Sequence, residues 1–352
     1  MTWLVDEERA LRGYTVEWVA PGETLASRRH TLYQVTHDRT AGAVAAPVPM
    51  VRLAAPMWKR CASRLRPIQR LLRHMVYNVV KLDDESLFIT FAKGVGVARG
   101  GQYRDLAGLV RPCRVLRGAV AADPMGRVYF GEYLTNAQRD RMRIYRYTPG
   151  AARVEIVHEF PSGAVRHIHG IYRDPFGDAL WCVTGDVGDE CRMLYSTDGF
   201  TTLAELGAGD ESWRCVSLQF RREHIYYATD AEFEHNRLYR VERASGRRDV
   251  VGALDGPVYY SCARGDDLFF AVTVELCPSQ VGRSATLWHL DREDQLNRIA
   301  GFEKDAWPVS YFLPGTIHFP CGPGVADEFF VQTVALHGVD GRTFRVYRNG
   351  KE

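Results

Sequence analysis

"IYRDPFGDALWCVTGD" (171–186) reads as a strand, a tight turn and a second, very apolar strand. In "DPFG" the proline presets φ at the second turn position and the glycine tolerates the last. The same plan returns as "AVAADPMGRVYFGEY" (119–133), with "DPMG" in the matching place. It recurs without the proline in "VVKLDDESLFITF" (79–91), "VSLQFRREHIYYATD" (216–230) and "YSCARGDDLFFAVTVE" (260–275). A second series follows these pairs: "IYRYTPG" (144–150), "LYSTDG" (194–199), "LYRVERASG" (238–246) and "LWHLDRED" (287–294). Their starts lie 50, 44 and 49 residues apart. "LYQVTHD" (32–38) and "VYRNG" (346–350) extend the series to both ends of the chain.

Each unit therefore reads as four antiparallel strands in roughly 45 residues, the size of a β-propeller blade. Full units fall at about 76–112, 116–160, 165–207, 213–254 and 257–302, with three-strand units at 14–52 and 308–350. The expected fold is all-β, a single β-propeller over residues 1–352. It has seven blades, or six if the two partial units merge. Pairing the chain ends would close the ring and remove the free sheet edges. A β-sandwich explains the strands but not their repetition.

Composition agrees with a folded, soluble chain. Hydrophobic residues are 46% and charged residues 25%, while 17 Tyr, 16 Phe and 32 Gly favour strands and tight turns. A net charge of +2 gives no global field for nucleic acid, and no such partner is expected. The eight cysteines include no CxxC pair and mostly sit in apolar runs, which predicts buried free thiols. "MTWLVDEERALRG" lacks a signal pattern, and no apolar run reaches the ~20 residues of a membrane span. A cytoplasmic location is expected.

Propeller geometry picks out the candidate site. The innermost strand of a blade leaves one mouth of the channel and the next strand returns to it. Arg166 and His167 of "RHIHG" (166–170), Arg214, Tyr259 and Tyr260 stand at strand starts. Glu132, Asp186, Asp230 and Glu275 end the returning strands, and Tyr133, Arg139, Glu190 and His235 adjoin them. Singly, such residues cap turns or satisfy backbone groups. Together they bring unlike titratable groups from four blades to one mouth, which is how sites are built.

Arg166 and Arg214 suit a carboxylate, because a guanidinium fork binds both oxygens. Asp230, Tyr133 and Glu275 complete the expected substrate contacts. Tyr260 is the candidate nucleophile or base, with Glu132, Asp186 and His167 as acid or base. His167 and His169 share one face of a strand, about 7 Å apart at ~3.3 Å per residue. They bind a divalent metal only with a third ligand. The expected ligand is an acidic glycan. The first expectation is a glycosidase-like hydrolase, which needs no cofactor; the runner-up is a uronate-type lyase, which uses His, Tyr and Arg with or without a metal. A non-catalytic glycan- or protein-binding scaffold has the same fold.

"STDGFTTL" (196–203) resembles the S-x-D-x-G-x-T-W Asp-box of sialidase-like, BNR-repeat β-propellers. Ser196, Asp198 and Thr202 match; Gly199 is one place early and Leu203 replaces the tryptophan. With "GEY", "RHIHG" and "TGD" in order, the chain is similar to bacterial sialidase-like propellers over most of its length. The resemblance implies a glycosidase acting on an acidic polysaccharide or its precursor, with the box as a structural turn far from the catalytic face. The family's early Arg-Ile-Pro segment, source of one carboxylate-binding arginine, has no counterpart here.

One segment departs from the repeat. No acidic residue lies between Asp38 and Asp83, while Arg39, Arg52, Lys59, Arg60, Arg64, Arg66, Arg70, Arg73 and Lys81 are basic. Within this insertion (53–76), "MWKRCASRLRPIQRLLRHM" (57–75) sets Trp58, Cys61, Leu65, Ile68, Leu72 and Met75 at helical spacing. Pro67 predicts two short helices. Either the apolar stripe packs on the propeller, or it meets an anionic membrane surface at the inner face or an acidic protein. Each basic residue near such a membrane contributes ~1 kcal/mol.

Overall fold

The computed structural model describes residues 2–38 and 43–349; Arg39 of the basic run lies outside them. Seven four-stranded antiparallel sheets form a β-propeller. Blade 1 uses Thr15–Ala20, Glu23–Arg28, Thr31–Val35 and Val48–Arg52. It has four strands, where the sequence suggested three, because Val48–Arg52 pairs with the third across a long connection. Blades 2 to 6 run from Val76 to Asp105, Val120 to Phe160, Ile168 to Ala208, Cys215 to Ala253 and Val258 to Glu303. Blade 7 takes Thr316–His318, Glu328–Val334 and Thr343–Arg348, and Trp3–Glu7 from the other end of the chain becomes its outer strand. That pairing closes the ring.

The core lies between blades. Phe88 of blade 2 meets Phe130 and Tyr147 of blade 3, with ring centroids 5.6 and 5.5 Å apart. Phe269 of blade 6 lies 4.5 Å from Phe329 of blade 7, and Trp3 stands edge-on to Phe269. Each such ring contributes about 1.5–3 kcal/mol on burial. The very apolar second strands of the repeat are thus the layer that glues blade to blade. All eight cysteines are free and five are buried. No helix among the described residues is long and apolar enough to cross a membrane.

The insertion forms two short helices, α1 (Met57–Ala62) and α2 (Arg66–Leu72). It joins the last strand of blade 1 to the first strand of blade 2, so it lies on the face where inner strands begin. Ion pairs anchor it. Arg70 is buried, 2.6 Å from Asp305 and 2.8 Å from the Phe312 carbonyl, and Arg66 grips both oxygens of Asp340. The apolar stripe is split: Trp58 and Leu65 are exposed, while Ile68 and Leu72 are half-buried. Arg73 ends α2 in the left-handed region (φ 49°), which turns the chain into blade 2.

His74, just beyond, is buried against Phe91 with its Nδ1 unpartnered. Burial, then Lys59 and His30, lower its pKa to about 4. The unfolded chain therefore takes up a proton that the fold excludes between about pH 6.5 and about 4. Stability is expected to fall as pH drops through that window. In His74→Phe this part of the slope should vanish from denaturant midpoints measured across it.

Candidate functional site

A recurring irregularity aims the side chains. In blades 1, 2, 4 and 6 the inner strand carries one extra residue near its start: Glu17, Tyr77, His169 and Tyr259. Blade 5 shifts register at the same level, between Cys215 and Leu218. Such a bulge breaks the alternation of faces and twists the strand locally. His167 and His169 thereby converge, with their Nε2 atoms 3.1 Å apart. Gly185, at φ 145° in "TGD", lets the returning strand turn so that Asp186 reaches them; a Cβ there would crowd Cys191.

The result is a cavity of about 220 Å³ at the channel mouth. Tyr133, Arg166, His167, His169, Asp186, Arg214, Asp230 and Tyr259 line it, joined by Arg73 and Arg114. Asp186 Oδ1 lies 3.1 Å from His167 Nε2 and 3.3 Å from His169 Nε2; its Oδ2 accepts a bond from Arg166 at 2.9 Å. Burial pushes the Asp186 carboxyl up, but hydrogen bonding led by His167 outweighs it and holds the group below the usual carboxylate range. Burial lowers the pKa of His167, against the pull of Asp186.

His169 Nδ1–H donates to the Cys215 carbonyl at 2.8 Å, so its neutral form turns the Nε2 lone pair toward Asp186. One proton on His167 Nε2 then serves two acceptors, and His167 Nδ1 is buried without a partner. Three ligand atoms 3.1 to 3.3 Å apart match the ~3.3 Å edge of a tetrahedron with ~2.0 Å metal–ligand bonds. A backbone carbonyl behind a ligand histidine is also the usual support in metal sites. His167, His169 and Asp186 are therefore the residues able to hold a divalent ion, with the cavity facing its open position.

Arg214 is committed inward. Its Nε lies 3.2 Å from Asp230 and its Nη1 donates to the Asp186 carbonyl. Asp230 is buried with Oδ1 unpartnered. Burial raises its pKa, and the Glu275 carboxylate adds to the rise against Arg214. Tyr259 donates to Glu275; burial raises both groups, which favours their protonated forms. The Tyr133 ring lies tilted against His167 with centroids 4.5 Å apart, and burial keeps its phenol protonated.

Two expected catalytic residues stand elsewhere. Glu132 ends its strand at this mouth but turns into its own blade, held by Tyr145, Arg111 and the Arg143 amide. Tyr260 lies outside the cavity lining, edge-on to His318, and its neighbour Tyr259 takes the place expected for it. Glu275 sits behind Tyr259. Glu190 accepts bonds from Arg139 and from the Arg166 amide, bracing the loop, and His235 is exposed. Arg73 and Arg114 also line the cavity, and neither is legible in the sequence as a site residue. Neither has a carboxylate within ion-pair distance among the described residues, so these guanidiniums are free for a ligand. Arg73 was indistinguishable within the basic run, and Arg114 lies in an inter-blade segment without strand pattern.

Comparison with known proteins shows the fold alone. No family model matches the chain, and no curated protein matches it. A structure titled as oligogalacturonate lyase in complex with manganese aligns with a TM-score of 0.58 at 8% identity, covering 99% of this chain and 91% of that one. A chain of a mitotic checkpoint complex aligns at 0.55 and 12%, covering 99% and 94%. A prolyl endopeptidase structure aligns at 0.54 and 10%, covering 92% of this chain and 47% of the other. These neighbours differ in their named roles, so chemistry has to be argued from the cavity.

"STDGFTTL" forms a closed turn at the opposite mouth, between the third and fourth strands of blade 4. Asp198 accepts bonds from Ser196, the Thr202 amide and the Thr202 hydroxyl, and the Phe200 amide donates to Ser196. It takes no part in the cavity.

Proposed function

We propose that the cavity binds the carboxylate of an acidic sugar and that the protein is a uronate-type polysaccharide lyase. The observation that carries this is the pairing of two free guanidiniums, Arg73 and Arg114, with the buried His167–His169–Asp186 cluster. Four arginines outnumber the two carboxylates that line the cavity, Asp186 and Asp230. The mouth therefore favours an anion. A divalent cation at the histidine cluster would supply further charge neutralisation of the sugar carboxylate, which acidifies the adjacent carbon.

The chain supplies the proton transfers. Asp230 Oδ1, unpartnered and made more basic by burial, takes the proton α to the carboxylate. That C–H pair becomes the new double bond as the C–O bond to the leaving sugar breaks. The Tyr133 hydroxyl, held protonated, donates to the departing oxygen. An oligogalacturonate lyase in complex with manganese has this fold, which supports only the compatibility of the scaffold with such a site.

The Tyr259–Glu275 pair favours a second reading, a sialidase-like glycoside hydrolase with Tyr259 as nucleophile and Asp230 as acid. One experiment separates them. Acidic oligosaccharides are incubated in heavy-oxygen water and the products weighed. Elimination gives an unsaturated product without solvent oxygen; hydrolysis gives saturated products carrying it. Binding without either product would leave a glycan-binding scaffold. Arg114→Ala should weaken the acidic ligand by about 1.5–3 kcal/mol in calorimetry, with the fold unchanged. Unchanged affinity would remove the guanidinium pair from the site.

A further inference from the structure

A second cavity opens on the same face, on the other side of the α2–blade 2 connection. Arg73 lines the first cavity, while Met75 lines the second. Its volume is about 340 Å³. Segments distant in sequence bring arginines to it. Arg12 precedes blade 1, Arg28 and Arg29 form a turn of blade 1, Arg64 and Arg66 come from the insertion, and Arg342 comes from blade 7. Arg117 lies at its inner side, and Asp340 is the one acidic lining residue among those described.

Most of these cations are neutralised. Arg66 pairs with Asp340, Arg12 and Arg342 share Glu7, and Arg117 pairs with buried Glu17. Arg28, Arg29 and Arg64 have no carboxylate partner among the described residues. Arg28 leans over the Tyr14 ring, 5.2 Å from its centroid, and Arg29 is held at φ 61° in the turn. Three uncompensated guanidiniums around one concave surface repel one another unless an anion joins them. A planar carboxylate occupies one guanidinium fork. A phosphoryl group carries more charge and offers three oxygens to several forks.

We infer that this second cavity binds a multiply charged phosphoryl anion of diphosphate type, gripped by Arg28, Arg29 and Arg64. The site is separate from the acidic-sugar cavity and stands whether or not that proposal does. Inorganic pyrophosphate is the probe, titrated calorimetrically at low ionic strength into the full chain. Wild type should bind. Arg28→Ala/Arg64→Ala should weaken binding about tenfold or more, since one lost charge-assisted contact already approaches that factor. Arg114→Ala, in the neighbouring cavity, should stay within about twofold. Circular dichroism verifies the fold, and Arg28→Gln/Arg64→Gln replaces the alanine pair if that pair unfolds. Absence of binding to wild type overturns the inference. So does an unchanged double variant, or a loss in Arg114→Ala equal to that of the pair.

Discussion

Arg214→Ala is expected to destabilise the propeller by about 3–5 kcal/mol, the cost of stranding a buried charge by removing its partner. Arg214 and Asp230 are both buried, and the guanidinium also reaches the Asp186 carbonyl and lies 3.7 Å from Asp186 Oδ1. Its removal leaves the Asp230 carboxylate without a hydrogen-bond donor among the described residues. From its position at a strand start, Arg214 is expected to hold substrate while being dispensable for the fold. The geometry assigns it a different part, the counter-charge that keeps two carboxylates at the mouth. Denaturant midpoints provide the measurement. Asp230→Ala placed on Arg214→Ala should recover part of the loss, because the stranded charge goes with its partner. A stable Arg214→Ala variant with weakened acidic-ligand binding would return the residue to the ligand.

His169→Ala is expected to lower divalent-metal affinity at least about a hundredfold, since loss of even an outer partner of a ligand costs 10–100-fold. The readout is metal content and manganese or zinc titration of the purified chain, followed by circular dichroism. Wild type should take up one ion per chain. Cys215 cannot be probed in the same way, because its contribution is a backbone carbonyl. His167→Ala should act alike, whereas Arg114→Ala should keep the metal and lose the acidic ligand. Uptake of metal by His169→Ala equal to wild type would leave the cluster as a proton-sharing network. In that state His167 Nε2–H, Asp186 and His169 hold one another.

The repeat in the sequence determined the propeller by itself. Alternating strands at blade spacing, broken by "DPMG" and "DPFG", cannot bury their apolar faces except against the next copy. Closure followed, because unpaired strand edges at the two ends complete each other. The level of the site was legible for the same reason: strand starts and returning strand ends meet at one mouth, and Arg166, His167, Asp186, Arg214 and Asp230 were placed by that rule alone. What each side chain does there was decided only in three dimensions. Alternation assigns faces until a bulge adds one residue, and the bulge at Tyr259 put that ring in the cavity where Tyr260 was expected. Glu132 obeys the same strand-end rule as Asp186, yet Arg111 and Tyr145 draw it into its blade. Arg73 reaches the mouth from the end of the basic helical insertion, and Arg114 from an inter-blade segment without strand pattern. Whether a carboxylate among the described residues reaches their guanidiniums depends on where distant segments came to rest, and no local pattern records that.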